Sequence, residues 1–146
     1  MRLSMSTFSL TLPLVFLLSP DITQAESASN AGVKVEKLLE TEKAWDGSVY
    51  KTYPEGTPQL TVLKITVAPQ THLDWHTHPA PNAAYMLSGV LTVEKKSGGE
   101  KRIFKAGEAL PETVGTVHRG YTGDEGATLV VFYAGKKGLP LSQPAK

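Results

Sequence analysis

The chain of 146 residues has no cysteine. That excludes disulfide cross-links, so any core must be held by packing and strand pairing alone. It also excludes lipid attachment to a cysteine behind the apolar N-terminal stretch. Neither sign of charge dominates: 15 Lys and Arg stand against 14 Asp and Glu, a net charge of +1. A near-neutral chain argues against nucleic acid or an anionic membrane as the main partner. Internal repeats, low-complexity tracts and a long helical pattern are all missing. What remains is 40% apolar content, enough for a single core in one domain.

The N-terminus has the pattern of a secretory signal peptide. Arg2 gives a weak positive start, Leu10 to Leu18 is apolar apart from Thr11 and Pro13, and Thr23-Gln24-Ala25 ends in small residues suited to cleavage. The stretch is too short and too Pro-interrupted for a stable membrane span. The reading divides the chain into a signal peptide at 1–25, a flexible lead at 26–32, one domain at 33–140 and a tail at 141–146. Removal of the signal peptide takes away Arg2 and Asp21, which leaves 14 basic and 13 acidic residues and an unchanged balance. The expected location is secreted or periplasmic.

The rest reads as short strands between turns. Val33 to Glu42 fits a strand or a short helix equally. Asp46-Gly47 and Pro54-Glu55-Gly56-Thr57-Pro58 are turns. In Leu60 to Ala68, Leu63, Ile65 and Val67 alternate with Lys64 and Thr66, the pattern of a half-buried strand. Ala83 to Leu87 and Val90 to Lys95 read as two strands around a tight Ser88-Gly89 turn. Ser97-Gly98-Gly99-Glu100 is a hairpin loop into Lys101 to Lys105, and Ala106-Gly107-Glu108 turns again. Ala127 to Ala134 is apolar on both faces, as a strand buried on both sides would be. The stretch from Gly135, with Pro140 and Pro144, has no regular pattern. Such an array predicts an all-β sandwich or barrel.

The most informative residues are histidines. In Trp75-His76-Thr77-His78-Pro79 two imidazoles lie one residue apart. Side chains alternate faces along an extended chain, so His76 and His78 project from the same side. One or two further ligands from a neighbouring strand would enclose a divalent metal ion. His118, in Gly115-Thr116-Val117-His118 after a second turn-rich segment, is the candidate. His72 and Asp74 share the parity of the pair; His72 lies far enough upstream to be a rim or surface residue, and Asp74 is, with Glu112, one of the two carboxylates close to the histidine motifs.

The spacing resembles the two motifs of the cupin superfamily, in the manner of a small single-domain member. The first motif runs His-x-His, three or four residues, Glu, six residues, Gly. Here His76-Thr77-His78 is followed by Pro79-Ala80-Pro81, by Asn82 in place of the Glu, and by six residues to Gly89, with Tyr85-Met86-Leu87-Ser88-Gly89 as the usual ending. The second motif reads as Gly107, five residues, Thr113-Val114-Gly115, two residues and His118, with Thr113 in place of a Pro. The resemblance covers roughly residues 59 to 134. It implies a double-stranded β-helix, or jelly-roll barrel, with one divalent ion (Fe, Mn, Ni or Zn) inside its mouth. His76, His78 and His118 would be the ligands.

Asn82 in the Glu position changes the chemistry. An amide oxygen is a weaker, neutral ligand, so the ion keeps more of its charge and favours a chelating or anionic molecule in its open positions. Asn82 also suits a loop-stabilising role, since its side chain readily bonds nearby backbone groups. Glu112, six residues before His118, is read first as a solvated turn residue and second as a carboxylate supplied from the facing strand. By parity Asn82, Ala84 and Met86 face inward, with Ala84 and Met86 lining a modest pocket. The resemblance implies a metal-dependent enzyme of the three-histidine dioxygenase type, acting on a small chelating or anionic molecule. A non-catalytic module that binds or senses a metal or small ligand is the alternative. The expected partners are a small-molecule ligand or substrate and a second copy of the chain in a homodimer, with no nucleic acid and no membrane after signal cleavage.

Overall fold

A computed structural model describes residues 32–145. By its contacts the chain divides after Val35, and the second unit runs from Glu36 to Lys146. The expected signal peptide, and the lead up to residue 31, lie outside the described residues. In the second unit eight strands follow one another: β1 (Pro58–Val67), β2 (His76–Thr77), β3 (Asn82–Lys95), β4 (Lys101–Lys105), β5 (Ala109–Pro111), β6 (His118–Tyr121), β7 (Ala127–Lys136) and β8 (Gln143–Pro144). All paired strands run antiparallel, in the order β1-β7-β3-β6-β2-β8, with β4 and β5 also on β3. No helix occurs among the described residues, and the all-β reading holds.

Strand β3 is the corner of the curled sheet. Its first half pairs with β5 and β7, its second half with β4 and β6. The expected Ser88-Gly89 turn is instead a bulge within one continuous strand, with a register shift between Met86 and Ser88. Gly89 has φ +75°, and a Cβ there would lie 1.8 Å from the carbonyl oxygen of Gly126. Only glycine lets the two backbones approach this closely.

The alternation in β1 and β3 sends one face inward. Val67, Ala84, Met86, Leu91, Val93 and Phe104 meet Leu110, Leu129, Val131 and Tyr133 in one core. Three expectations need correction. Val33 to Glu42 is neither strand nor helix but exposed, irregular chain, because its mixed Lys/Glu pattern offers no apolar face to bury. Strand β7 is not buried on both sides: Ala127, Leu129, Val131 and Tyr133 face the core, while Phe132 on the other face is 42% exposed. Its apolar outer residues reflect the β propensity of Val and Phe rather than a second buried layer. The stretch from Gly135 is partly regular, since β7 runs on to Lys136 and the tail forms β8 against β2.

Candidate metal centre

The strand that carries the histidines is very short. In β2, His76 pairs with His118 of β6 on one side and with Pro144 of β8 on the other. His78 follows β2 directly, and its carbonyl accepts a hydrogen bond from Gly115 N–H at 2.9 Å. Gly115, at φ +73°, makes the turn that returns the chain to His118. The ring centroids lie 4.9 Å (His76–His78), 4.6 Å (His76–His118) and 5.1 Å (His78–His118) apart. One ring nitrogen from each residue lies within 4.8 Å of the other two. His118 is 1% exposed and His78 5%, with His76 at the rim.

Backbone carbonyls set the tautomers. His76 Nδ1 donates to Asp74 O at 2.8 Å, His78 Nδ1 to Leu141 O at 2.7 Å and His118 Nδ1 to Thr116 O at 2.8 Å. A carbonyl oxygen only accepts, so each Nδ1 carries the proton and each neutral ring keeps its Nε2 lone pair. Thr113 Oγ1, 3.0 Å from His118 Nδ1, is a further acceptor for that N–H. Outer partners of this kind hold metal-binding imidazoles in one orientation.

A carboxylate lies against one of the three rings. Glu112 Oε2 lies 3.2 Å from His118 Nε2, in ion-pair range but not at a hydrogen-bonding angle, and both atoms stay buried without a hydrogen-bond partner. Burial alone would push the Glu112 carboxyl up; His118 foremost, then His78 and His76, outweigh it and hold the group below the usual carboxylate range. Burial likewise works against the charged form of His118, but Glu112 overcomes this and raises its pKa. His78 is pushed down, chiefly by burial. Tyr133, whose ring centroid is 5.8 Å from that of His78, is pushed up by burial and by Glu112.

These groups open on a cavity of about 60 Å³, walled by Ile65, Val67, Leu91, Val93, Leu129 and Val131. Three lone-pair nitrogens at one cavity form a donor set that fits a divalent ion, with the Glu112 carboxylate beside His118.

The structure therefore brings His76, His78 and His118 together, with Glu112 against His118. The solvated-turn reading of Glu112 is corrected: its side chain is 13% exposed, because the residue leaves β5 on the inner face of the wall. Asn82 also lines the cavity. Its Nδ2 donates to Ala80 O at 3.3 Å, while its Oδ1 is buried without a partner. Ala84 and Met86 face inward but do not line the cavity. At 3% and 0% exposure they belong to the solid core below it, packed in the ladder beside Leu110 and Leu129. His72 and Asp74 stay on the surface, His72 stacked on Tyr121 at 4.8 Å. Sequence reasoning missed Thr113 and Tyr133. In the sequence Thr113 reads only as a replacement for the motif Pro, and the inward parity of β7 marks Tyr133.

No family model matches the chain, and no curated protein matches it. Solved structures do. A cupin-like protein from Thermotoga maritima is 20% identical with a TM-score of 0.52, over 59% of this chain and 64% of that one. The polyketide cyclase RemF from Streptomyces resistomycificus is 18% identical with a TM-score of 0.53, over 83% and 85% of the two chains. The DMSP lyase DddQ from Ruegeria pomeroyi is 20% identical with a TM-score of 0.50, over 56% of this chain and 41% of that one. The match spans less than two thirds of the Thermotoga protein and less than half of the lyase. At these identities the likeness is one of fold.

Proposed function

We propose that this chain, whose fold is that of the cupins, is a metal-dependent enzyme of the oxygenase type that acts on a small chelating or anionic organic molecule. One observation carries the reading: three imidazoles, each with Nδ1 on a carbonyl, leave their Nε2 atoms free at one cavity. A divalent ion bound there would supply Lewis acidity and exchangeable positions for substrate and dioxygen.

The chain's own residues do the rest. His76, His78 and His118 would hold the ion through Nε2, their rings locked by Asp74, Leu141 and Thr116. The aliphatic walls exclude bulk water and strengthen every polar contact inside. Tyr133, which lines the cavity, stays protonated and can donate its hydroxyl hydrogen to an anion there. The cavity, at about 60 Å³, suits the reacting end of a small molecule. A cyclase and a lyase among proteins of similar fold make catalysis on small organic molecules compatible with this framework. The reading also holds that the protein acts in the periplasm or outside the cell, on the strength of the signal-peptide pattern at 1–25.

The test is metal analysis of protein purified without a histidine tag, followed by dioxygen uptake with a panel of small chelating acids. The expected result is one divalent ion per chain and dioxygen consumption with at least one acid. Metal retained without turnover of any acid would favour a binding or sensing module. A chain that retains no divalent metal would overturn the reading.

A further inference from the structure

We infer that Glu112 is a fourth protein ligand of the metal centre, a carboxylate delivered from the end of β5 rather than from position 82 on β3. The inference rests on the metal reading above.

The backbone around Glu112 is clamped from three directions. Its N–H donates to Asn82 O at 3.0 Å, and its carbonyl accepts from the Tyr50 hydroxyl at 2.7 Å. The preceding carbonyl, of Pro111, accepts from Trp45 N–H at 2.9 Å. Trp45 and Tyr50 flank the Asp46-Gly47 turn, which the Lys43–Val49 bridge closes. This strap and β3 thus fix the residue from opposite sides. A side chain destined for solvent needs no such placement. That of Glu112 turns inward, and its Oε2 is sealed from water without a donor.

The separation from His118 fits two ligands of one ion. Atoms each about 2.1 Å from a metal, at the angles of tetrahedral or octahedral coordination, lie about 3.0–3.4 Å apart. Glu112 Oε2 and His118 Nε2 are 3.2 Å apart. A simple hydrogen-bonded pair accounts for this less well. An imidazolium would carry a proton on Nε2 as well, but the approach to Nε2 is not at a hydrogen-bonding angle. A carboxylate oxygen and an imidazole nitrogen buried face to face, with no hydrogen bond between them, call for a cation that both can bind. Asn82 does not fill the role, since a neutral amide leaves the ion's charge unbalanced. With Glu112 bound, one positive charge remains at the centre, and a monoanion brings the cavity to neutrality.

The experiment is titration of the metal-free full chain with Co(II), read by its visible absorption bands and by competition with Zn(II). Glu112→Gln keeps the shape and removes the charge; it is expected to weaken Co(II) binding about tenfold or more and to change the bands. The double variant Asn82→Glu/Glu112→Gln puts a carboxylate back into the cavity from β3 and is expected to restore the affinity. In wild-type protein labelled with ¹³C at its carboxylates, one buried glutamate signal should shift or broaden as metal binds, a readout independent of any variant's folding. Co(II) affinity and bands unchanged in Glu112→Gln, or no glutamate signal responding in the wild type, would overturn the assignment. Wild-type protein that takes up no Co(II) at all would instead overturn the metal reading itself.

Discussion

The two sides of the barrel wall are built on different principles. On one side β1 and β7 pair without interruption from Pro58↔Lys136 to Val67↔Ala127, and β7 continues the ladder onto β3. On the other, β2 has two residues and meets β6 through the single pair His76↔His118. The long ladders bury Met86, Leu129 and Val131, each contributing about 1.5–3 kcal/mol by transfer from water. The short strands carry the histidines, and loop carbonyls at Asp74, Thr116 and Leu141 orient the rings. Stability thus resides mainly in regular pairing, and site geometry in irregular backbone that the regular part holds still.

The largest effect that would break this division is expected at the corner of the long ladder. Gly89→Ala places a methyl 1.8 Å from a backbone oxygen, so two main chains must separate and a positive φ becomes strained. The expected loss is about 3–5 kcal/mol of unfolding free energy, measured by denaturant titration of metal-free protein. A loss under about 1 kcal/mol would show that the corner adapts and that the ladder is less rigid than its register implies. Next come the ligands. Metal at one hundred times its dissociation constant stabilises a single-site protein by about 2.7 kcal/mol, and His76→Ala, His78→Ala and His118→Ala should each lose that increment while the barrel stays folded. Stoichiometric metal in a His76→Ala/His118→Ala variant would contradict the ligand set.

The same division explains what could be read from the sequence. Alternation in Leu63, Ile65 and Val67 marked β1, and Ser97-Gly98-Gly99-Glu100 marked the β3–β4 hairpin, because regular strands and their turns write themselves locally. His76 and His78 were legible as a same-side pair for that reason, and their meeting with His118 followed from motif spacing. The Ser88-Gly89 bulge was not legible, since a bulge and a hairpin turn use the same residues and only the partner Gly126 distinguishes them. The inward side chain of Glu112 was equally hidden. It depends on Tyr50, 62 residues away, and no local pattern reports a contact of that range. Strand β8 depends likewise on β2, and no apolar alternation betrays it.

The two sides should also respond differently to pH. Protons compete for Nε2, so metal affinity should fall as pH drops through about 6.5, the ordinary histidine value. His118, with its raised pKa, would take up a proton before His78, with its lowered pKa. Without metal the sign differs. A raised His118 contributes stability that is complete below the unfolded histidine value and lost as pH rises through its folded value. A lowered Glu112 contributes stability present above the unfolded glutamate value and lost as pH falls through its own folded value. The pair therefore favours metal-free protein most between about pH 4.3 and 6.5, whereas added Zn(II) should move the stability maximum to higher pH. Melting curves from pH 4 to 8 that stay parallel with and without Zn(II) would argue against a shared site.

The smallest expected effect sharpens the comparison most, because it separates holding the fold from holding the site. Tyr50→Phe removes one hydroxyl, the donor to Glu112 O at 2.7 Å, and leaves the ring in place. As an average hydrogen bond it is worth about 1 kcal/mol of stability, and unfolding should register little more. Without the bond, the Glu112 carbonyl loses one of the clamps that fix its backbone, and the carboxylate gains freedom that it must give up when metal binds. Metal affinity should therefore fall several-fold, in the direction of Glu112→Gln but by less. Tyr53→Phe is the control, since Tyr53 is 70% exposed and should change neither quantity. If Tyr50→Phe lowers stability by about 1 kcal/mol and leaves metal affinity equal to that of the wild type, the strap only closes the fold. The placement of Glu112 would then belong to β3 and β5 alone.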